Sequence, residues 1–549
     1  MKLRSVVILK YLILLGVIFK LLILNAHGLW SDEALQFWVS KGINTKYLYS
    51  PVFVNLPDSV TLYTIFKNTN KFLIGSPFFT ILLYFWSKFS SSVYWLRLLP
   101  CLFGIGILPL MYLIAVEVNF SKKWALILVA FCAWNASWFV YSAELRPYSL
   151  EIFCSALTLL FFLKIIKSNG LLIKYYIWII FTIFLGIVSG YGYCLSVPFF
   201  LFFLILHAIF KCRDNILRVL YKLVILSVPV VFLLIYLTQI RVNWVKKFLI
   251  DGFHPPYLTY LHDYLHLGAA SCILTFLREI LQVISWQLFY VRGIFVNDVL
   301  LPAGIPFMLI SFLFLIASVY FLLFVTVKKD KSTEKAAISV FLFLFIICLV
   351  LSIKGLAPFN PTRHNLFFSP ALFISFFICV RKLYAFAKGK FRKNGVSILF
   401  FLLFIFIMLP NIIRDCQVAY SQEIRELLLK IQPSVENDDK VHIAMKNIDL
   451  AVLRYEYHYS NIPWIKRLKE EDISTETSFK ASNCEKYDYQ WYIYSHHRLS
   501  RGKAKELLNE AKLRLSKEFN FFVDLEYSLP PKVFGFRGRS CTFGCKNYR

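Results

Sequence analysis

Apolar runs about as long as a membrane is thick recur through the first three-quarters of this chain. A helix needs roughly 20 apolar residues to cross the hydrocarbon core of a bilayer, and such windows follow one another between residues 5 and 411. Hydrophobic residues make up 58% of the 549 residues, against about 45–50% in an average soluble domain. The sequence therefore predicts a polytopic α-helical membrane protein.

Eleven predicted spans account for these runs. They lie at 5–25, 94–116, 123–141, 148–166, 175–191, 195–211, 222–239, 300–327, 337–354, 365–381 and 396–412. The first has no small-x-small cleavage site after it, which indicates an uncleaved span. The apolar stretch 72–93 begins with Gly-Ser-Pro and has no basic flank, so we expect an interfacial or re-entrant helix there.

The net charge of +28 follows the ends of the spans. Twenty-one basic residues lie in loops at alternate ends, whereas the three short loops on the opposite side hold only Arg146, Lys354 and Arg363. This positive-inside distribution predicts a cytoplasmic N-terminus in the cell (inner) membrane. The positive charge thus indicates how the spans are oriented in the membrane, and it gives no reason to expect a nucleic-acid partner.

Two domains follow from this arrangement. Residues 1–412 are predicted to form the membrane domain, with long outer loops at 26–93 and 240–299. Residues 413–549 are predicted to form a small extracytoplasmic (periplasmic) α/β domain. In that tail the strand-like segments KVHIAM and YQWYIYS alternate with the amphipathic helical segments SQEIRELLLKIQ and GKAKELLNEAKLRL.

Polar residues gather at the predicted outer ends of the spans. Charged groups there are costly and usually mark a site or an ion pair. The pattern predicts one polar cavity at the outer leaflet boundary. Its members are Asp32 and Glu33 in the first outer loop, Arg97 at the start of the second span, Glu144, Arg146, Tyr148 and Glu151 in YSAELRPYSLEIF, Tyr191 and Tyr193 in SGYGYCLS, and Lys354, Arg363 and His364 in KGLAPFNPTRHNLFF.

Several of these residues also have a purely structural interpretation. Arg97 and Lys354 are expected to extend toward lipid headgroups, and Tyr193 is expected to belong to an interfacial aromatic belt. Glu144 and Arg146 suit an ion pair that fixes a turn.

The acid pair opens a predicted short helix, SDEALQFWVSKG. Ser31 suits its N-cap, the acids suit its first turn, and Gly42 suits its end. The Trp and Phe side chains predict an amphipathic helix in the membrane interface beside the first span. Its N-terminus would then hold carboxylates at the membrane surface.

These residue types suit transfer of a group from a lipid phosphate carrier. A carboxylate within hydrogen-bond reach of a hydroxyl or amine is able to act as a general base. Arginine binds phosphate through two parallel hydrogen bonds and stabilises the charge that develops on a phosphate leaving group.

The order of the motifs resembles the C-type polytopic glycosyltransferases, in particular their protein-mannosyltransferase and aminoarabinose-transferase-like branch. The motifs are Asp32-Glu33-Ala34, RLLPCLFGIGILPLMYLIA from Arg97, YSAELRPYSL from Tyr141, GYGY from Gly190 and RHNLFFSPAL from Arg363, within residues 20–380. The resemblance implies a hexosyl- or pentosyltransferase with a polyprenyl-phosphate (or dolichyl-phosphate) sugar donor. The acceptor is a lipid, a glycan or a protein, and no nucleotide sugar is used directly.

The same resemblance assigns roles to residues. Asp32 is the first choice for the catalytic base and Glu33 the second, while Arg146 and Arg363 are candidates for the donor phosphate. The remaining predicted substrate-binding residues are Glu144, Tyr148, Tyr191, His364 and Arg97. The chain departs from the family pattern at Ala143, where relatives often have Gln, and at His364, where they often have Tyr.

Metal binding and cysteine chemistry remain open alternatives. Some relatives bind a divalent metal, and the one local pattern is HDYLH, in which His262 and His266 lie one helical turn apart. An ordinary histidine-rich interfacial helix is the favoured interpretation. In the tail, two of the residues Cys484, Cys541 and Cys545 would be able to pair outside the cytoplasm.

Other function classes fit less well. A lipid-linked sugar transporter or flippase should place polar groups near the bilayer midplane, with broken helices in paired repeats, and no repeat is evident. A transferase of another lipid-linked group is the alternative among enzymes. A membrane scaffold would leave the acid pair and the Glu144–Arg146 turn unexplained.

Overall fold

The chain divides into two compact units in the computed structural model. The first unit comprises Met1–Leu21 and Pro100–Cys416, and the second comprises Leu22–Leu99 and Gln417–Arg549. The structure describes residues 2–25, 29, 31–43, 60–72, 76–168, 172–194, 196–211, 221, 224, 228, 231–232, 269–289, 295–296, 299–300, 305–324, 332–353, 363–390, 428, 441–445, 450–459, 462–469, 472–474, 489–496, 521–526 and 539–546.

Helices dominate the described residues. In chain order they are α1 (Lys2–Leu22), α2 (Ser31–Ser40), α3 (Leu62–Phe72), α4 (Pro77–Trp86), α5 (Val93–Glu117), α6 (Lys122–Trp134), α7 (Ala136–Ser142), α8 (Tyr148–Lys167), α9 (Ile173–Ser189), α10 (Tyr191–Cys194), α11 (Val197–Lys211), α12 (Ala269–Phe289), α13 (Ile305–Phe324), α14 (Ser332–Ile353), α15 (Ser369–Lys390) and α16 (Leu450–Tyr459). Three 3₁₀ segments cover Ile23–Asn25, Arg363–Phe368 and Trp464–Arg467.

Among the described residues, four helical stretches are long and apolar enough to cross a membrane. They are Val93–Glu117, Tyr148–Lys167, Thr333–Ile353 and Asn365–Ala387, and the bent pair α6 and α7 raises the number to as many as five. The prediction of a helical chain with several apolar spanning segments is therefore confirmed. Eleven spans remain a prediction, and much of the predicted spans 222–239 and 396–412 lies outside the described residues.

The predicted span 123–141 is broken at Asn135. Helices α6 and α7 meet there at 55°, and Asn135 adopts an extended conformation between them. Its side-chain oxygen accepts a hydrogen bond from Trp138 N at 3.2 Å, as an N-cap does, and also one from the Ser137 hydroxyl at 2.6 Å. Asparagine favours this capping geometry over the helix interior, so the chain starts a second helix instead of continuing the first.

The stretch 72–93 contains α4, which has only ten residues. At about 1.5 Å per residue it reaches about 15 Å, half of the hydrocarbon thickness. Ser76 caps it by accepting from Phe79 N at 3.2 Å. This length agrees with the expectation that the stretch does not cross the membrane by itself.

The predicted outer loop 240–299 also contains a long helix. Helix α12 has 21 residues, and its last seven, 283–289, are buried. It packs against α7 and α13. The sequence analysis did not predict this helix, although apolar residues recur at helical spacing along it. The location of 240–299 on the outer side stays a prediction.

Helix α8 is the central helix of the first unit. It packs against α9, α14, α15 and the 3₁₀ segment Arg363–Phe368, and 14 of its 20 residues are buried. The turn that precedes α8 is therefore attached to a helix that is mostly buried.

The tail contributes a five-stranded sheet to the second unit. Its strands are β3 (Val441–Met445), β4 (Ile473–Ser474), β5 (Tyr489–His496), β6 (Phe521–Glu526) and β7 (Arg539–Lys546), in the order β4-β3-β5-β7-β6. Strand β3 is parallel to β4 and β5, whereas β7 is antiparallel to β5 and β6. Two further strands of two residues each, β1 (Phe295–Val296) and β2 (Val299–Leu300), pair in the first unit. Strands thus occur at both predicted places, while the predicted tail helices lie outside the described residues except for Leu428.

The sheet register limits the pairing of the tail cysteines. Cys541 and Cys545 both belong to β7, opposite Tyr494 and Gln490 of β5. Four residues of extended strand separate their Cα atoms by about 13 Å, whereas a disulfide needs less than about 7 Å. A bond between these two cysteines is excluded, and Cys484 lies outside the described residues.

Candidate functional site

The two adjacent acids occupy different environments in the second unit. Both lie in the first turn of α2. Glu33 is fully buried, whereas Asp32 is partly exposed. Helix α2 ends where the sequence predicts, because Gly42 has a φ of +76° that few other residues adopt.

Arg97 binds Glu33 through a bidentate ion pair. Its Nε lies 2.9 Å from one carboxylate oxygen and its NH2 lies 2.5 Å from the other, while NH1 donates to the Leu24 carbonyl at 3.3 Å. Arg97 is 4% exposed. The expectation that it extends toward headgroups was wrong, because a buried carboxylate gives the guanidinium a paired site inside the protein.

The aromatic side of α2 is also buried by protein. Trp38 donates to the Ala451 carbonyl of α16 at 2.9 Å, and Phe37 packs edge-on against Tyr455 and Tyr459 of the same helix. Residues 33–40 are all buried. A segment more than 400 residues away thus covers the Trp and Phe side chains of α2, a partner that the sequence did not indicate. The location of α2 in the membrane interface stays a prediction.

In the first unit, the turn between α7 and α8 forms a second polar group. Glu144, Arg146 and Tyr148 are 2%, 9% and 6% exposed. Arg146 N donates to the Glu144 carbonyl at 2.7 Å, and its guanidinium contacts the Tyr148 hydroxyl at 3.5 Å. The guanidinium of Arg146 and the phenol of Tyr148 thus meet at the N-terminus of α8, and the side chain of Glu144 is buried in the same turn.

Glu151 and Gly190 make a close approach behind this turn. Glu151 lies in the first turn of α8, and Arg146 acts on its carboxyl electrostatically. A Cβ atom added to Gly190 would overlap the carboxylate of Glu151. The glycine is therefore required by the space that this side chain fills.

Tyr193 lies inside the helix bundle. It is fully buried, its hydroxyl is 2.6 Å from the Thr158 hydroxyl of α8, and its ring covers Gly186 of α9. The prediction of an interfacial aromatic belt was wrong for this residue, because Thr158 supplies the polar partner that the membrane interface would otherwise supply.

Two further predicted segments reach α8 through their backbones. The 3₁₀ segment that begins with Arg363 and His364 packs against α8 and against α10, the short helix that begins with Tyr191. The side chains of Arg363, His364 and Tyr191 lie outside the described part of the structure. The first unit thus brings together three of the predicted turns at the level of the backbone.

Sequence analysis missed Lys20. This residue lies near the end of α1 and is 1% exposed. Its ammonium donates to the Ser142 hydroxyl at 3.2 Å and lies 5.1 Å from the centre of the Phe139 ring. A single lysine inside an apolar run was the available signal, because intramembrane charges usually serve a site.

Metal binding has no support among the described residues, where no group of three or more His, Cys, Asp or Glu side chains is able to hold a metal ion. His262 and His266 lie outside the described residues.

Comparison with known protein families gives no match, and no curated protein matches the chain. Similar solved structures include the archaeal oligosaccharyltransferase AglB from Archaeoglobus fulgidus in complex with an inhibitory peptide and a dolichol-phosphate. It is 14% identical, with coverage of 88% of this chain and 69% of AglB and a TM-score of 0.44.

ArnT from Cupriavidus metallidurans bound to undecaprenyl phosphate is 11% identical, with coverage of 98% and 97% and a TM-score of 0.44. An Archaeoglobus fulgidus oligosaccharyltransferase in complex with Zn and sulfate is 14% identical, with coverage of 96% and 73% and a TM-score of 0.44. Each of these is a structure that the chain resembles. The function proposed below rests on the residues of this chain.

Proposed function

We propose that this chain is a membrane glycosyltransferase that moves a sugar from a polyprenyl-phosphate donor to an acceptor on the outer side of the cell membrane. The observation that carries the proposal is the division between the two adjacent acids. Glu33 is held by Arg97 in a buried ion pair, and the pair fixes the first turn of α2. Asp32, partly exposed in the same turn, is then the carboxylate suited to exchange a proton with a substrate.

The reaction is a single displacement. A hydroxyl or amine of the acceptor attacks the anomeric carbon of the sugar, and Asp32 takes the proton that this group loses. The bond between the anomeric carbon and the phosphate oxygen breaks, and its electron pair stays on the phosphate. Polyprenyl phosphate leaves as the second product.

Arginine supplies the charge that the leaving phosphate requires. Arg146 is buried in the turn before α8, and Arg363 begins the 3₁₀ segment that packs on the same helix. We assign both to the donor phosphate, because guanidinium groups bind phosphate bidentately and stabilise charge that develops in the transition state. Glu144, Tyr148, Tyr191 and His364 are proposed to contact the substrates.

Orientation follows from the charge distribution. Basic residues at alternate span ends favour a cytoplasmic N-terminus, and eleven crossings would put the tail and the acid pair outside. The acceptor is then a lipid, a glycan or a protein at the outer surface. A divalent metal, if one is bound, would use His262 and His266, and chelation should then abolish turnover.

The decisive experiment identifies both substrates. Surface glycans and glycolipids of cells with and without the gene product are compared by mass spectrometry, and the purified protein is then reconstituted with candidate polyprenyl-phosphate sugars. We expect one sugar modification to depend on the gene product and to form in vitro with release of polyprenyl phosphate. Movement of intact lipid-linked sugar across vesicles without transfer would instead identify a transporter.

A further inference from the structure

The N-terminus of α8 is buried and has no capping side chain. The first N–H groups of any α-helix lack partners within the helix and are normally satisfied by a capping side chain or by water. In α8 the N-cap residue is Pro147, and no side chain caps the helix. Tyr148, Ser149 and Leu150 of the first turn are all buried. A helix N-terminus that is buried and has no capping side chain is a place where an anionic ligand commonly binds.

Ser149 provides a second and independent observation. The residue is 1% exposed, and within the described part of the chain its hydroxyl has no hydrogen-bond partner. Leaving a hydroxyl buried without a partner costs free energy. Side chains of a helix tilt toward its N-terminus, so a hydroxyl at the second helical position stands beside the first-turn N–H groups.

The charge around this helix end is mixed. Arg146 lies two residues before α8 and its guanidinium contacts Tyr148, and the helix dipole adds partial positive charge. Glu144 and Glu151 oppose the binding of any anion. Net charge alone therefore does not favour an anion here, and the ligand must be bound by hydrogen bonds from groups with fixed directions. A tetrahedral phosphoryl group, which has several acceptor oxygens, matches such donors best.

We propose that the N-terminus of α8, with the Ser149 hydroxyl as a direct donor, binds the phosphoryl group of a polyprenyl monophosphate. The inference rests on the proposed function and makes it more specific, because it locates the donor phosphate at one helix end. Ser149 is then a substrate-binding residue that no motif singled out. A lipid phosphate is favoured over free phosphate because α8 is itself a membrane-spanning candidate.

Binding without turnover tests the inference separately from the transferase reaction. Purified full-length protein in detergent is titrated with farnesyl phosphate, with farnesol as the uncharged lipid and inorganic phosphate as the free anion. Ser149→Ala should weaken farnesyl phosphate binding about tenfold or more, the loss expected for one hydrogen bond to a charged group. Farnesol binding should not change.

A pair of nearly isosteric variants isolates the hydroxyl. Ser149→Thr retains it and should bind farnesyl phosphate nearly as the natural protein does, whereas Ser149→Val should bind as weakly as Ser149→Ala. Ser155→Ala is the matched control, because Ser155 is buried two turns further along the same helix. The melting temperature of each variant is measured as well, and affinities are compared only among variants that melt at the same temperature as the natural protein. A folding defect is thereby separated from a loss of binding.

Three outcomes would overturn the inference. These are equal farnesyl phosphate affinity in Ser149→Ala and the natural protein, equal loss in Ser155→Ala, and inorganic phosphate binding as tightly as the lipid with the same dependence on Ser149. If farnesyl phosphate binds through Ser149 but no donor supports transfer, the proposed function fails and the binding site stands. If transfer proceeds and Ser149→Ala leaves the donor KM unchanged, the binding site fails and the function stands.

Discussion

Replacing Glu33 by Gln should destabilise the protein far more than replacing its neighbour Asp32 by Asn. The Glu33–Arg97 pair is buried, with two hydrogen bonds of 2.9 and 2.5 Å. Removing one member of such a pair leaves a buried charge without its counter-charge, which costs about 3–5 kcal/mol. The bond from Arg97 to the Leu24 carbonyl would remain, but that acceptor is neutral and does not balance the guanidinium charge.

The neighbouring substitution provides the matched control. Asp32 lies in the same turn of α2 but is partly exposed. An acid in the first helical turn contributes about 0.3–1 kcal/mol through the helix dipole. The two chemically identical changes, one residue apart, should therefore differ by about 2–4 kcal/mol in the free energy of unfolding.

Equilibrium unfolding of the reconstituted protein, followed by tryptophan fluorescence, measures this difference, since Trp38 lies in the same helix. The double variant Glu33→Met/Arg97→Met should recover much of the loss, because apolar replacement of a whole buried pair is often close to neutral. Equal destabilisation by Glu33→Gln and Asp32→Asn would refute the assignment of separate roles to the two acids. A double variant whose loss of unfolding free energy equals the sum of the losses in the two single variants would refute the ion pair as well.

Three further predictions concern other residues. Lys20→Met should lower the free energy of unfolding by about 1 kcal/mol through loss of the hydrogen bond to Ser142. Ser142→Ala should add little to that loss in equilibrium unfolding, and additive losses would contradict the pairing. Gly190→Ala should lower the free energy of unfolding by about 1–3 kcal/mol, because the added methyl group overpacks against Glu151. Glu151→Ala, added to Gly190→Ala, should relieve this loss. An unaltered melting temperature in Gly190→Ala would refute the contact. The pKa of His458 is lowered from 6.5, mainly by burial and further by the positive charges of Lys466 and Arg454, so the free energy of unfolding should fall as pH drops below 6.5. His458→Gln should reduce this dependence of the melting temperature on pH. An unchanged pH dependence would exclude His458 as its cause.

The helical class and much of the local structure could be predicted from the sequence because they depend on local patterns. Apolar length predicts α5 and α8, and the φ of +76° at Gly42 ends α2 where a glycine was expected. Alternating residues predict strands β3 and β5. The bend at Asn135 was missed because a single polar residue does not interrupt the hydropathy of the run.

Partners distant in sequence could not be predicted. Nothing local indicates that Arg97 binds a carboxylate 64 residues before it, that Tyr193 reaches Thr158, or that α16 covers the aromatic side of α2. In each case a residue assigned to the membrane interface by its amphipathic character is buried by protein. Amphipathic side chains suit both places, and only the tertiary structure decides between them.

The most direct test of the proposed function is the single-turnover rate of sugar transfer by Asp32→Asn, measured in vesicles with the identified polyprenyl-phosphate donor and saturating acceptor. We expect a loss of at least about 100-fold, within the usual range for a general base, together with unchanged donor binding and a melting temperature close to that of the natural protein. Transfer by Asp32→Asn at the natural rate would contradict the assignment of Asp32 as the base.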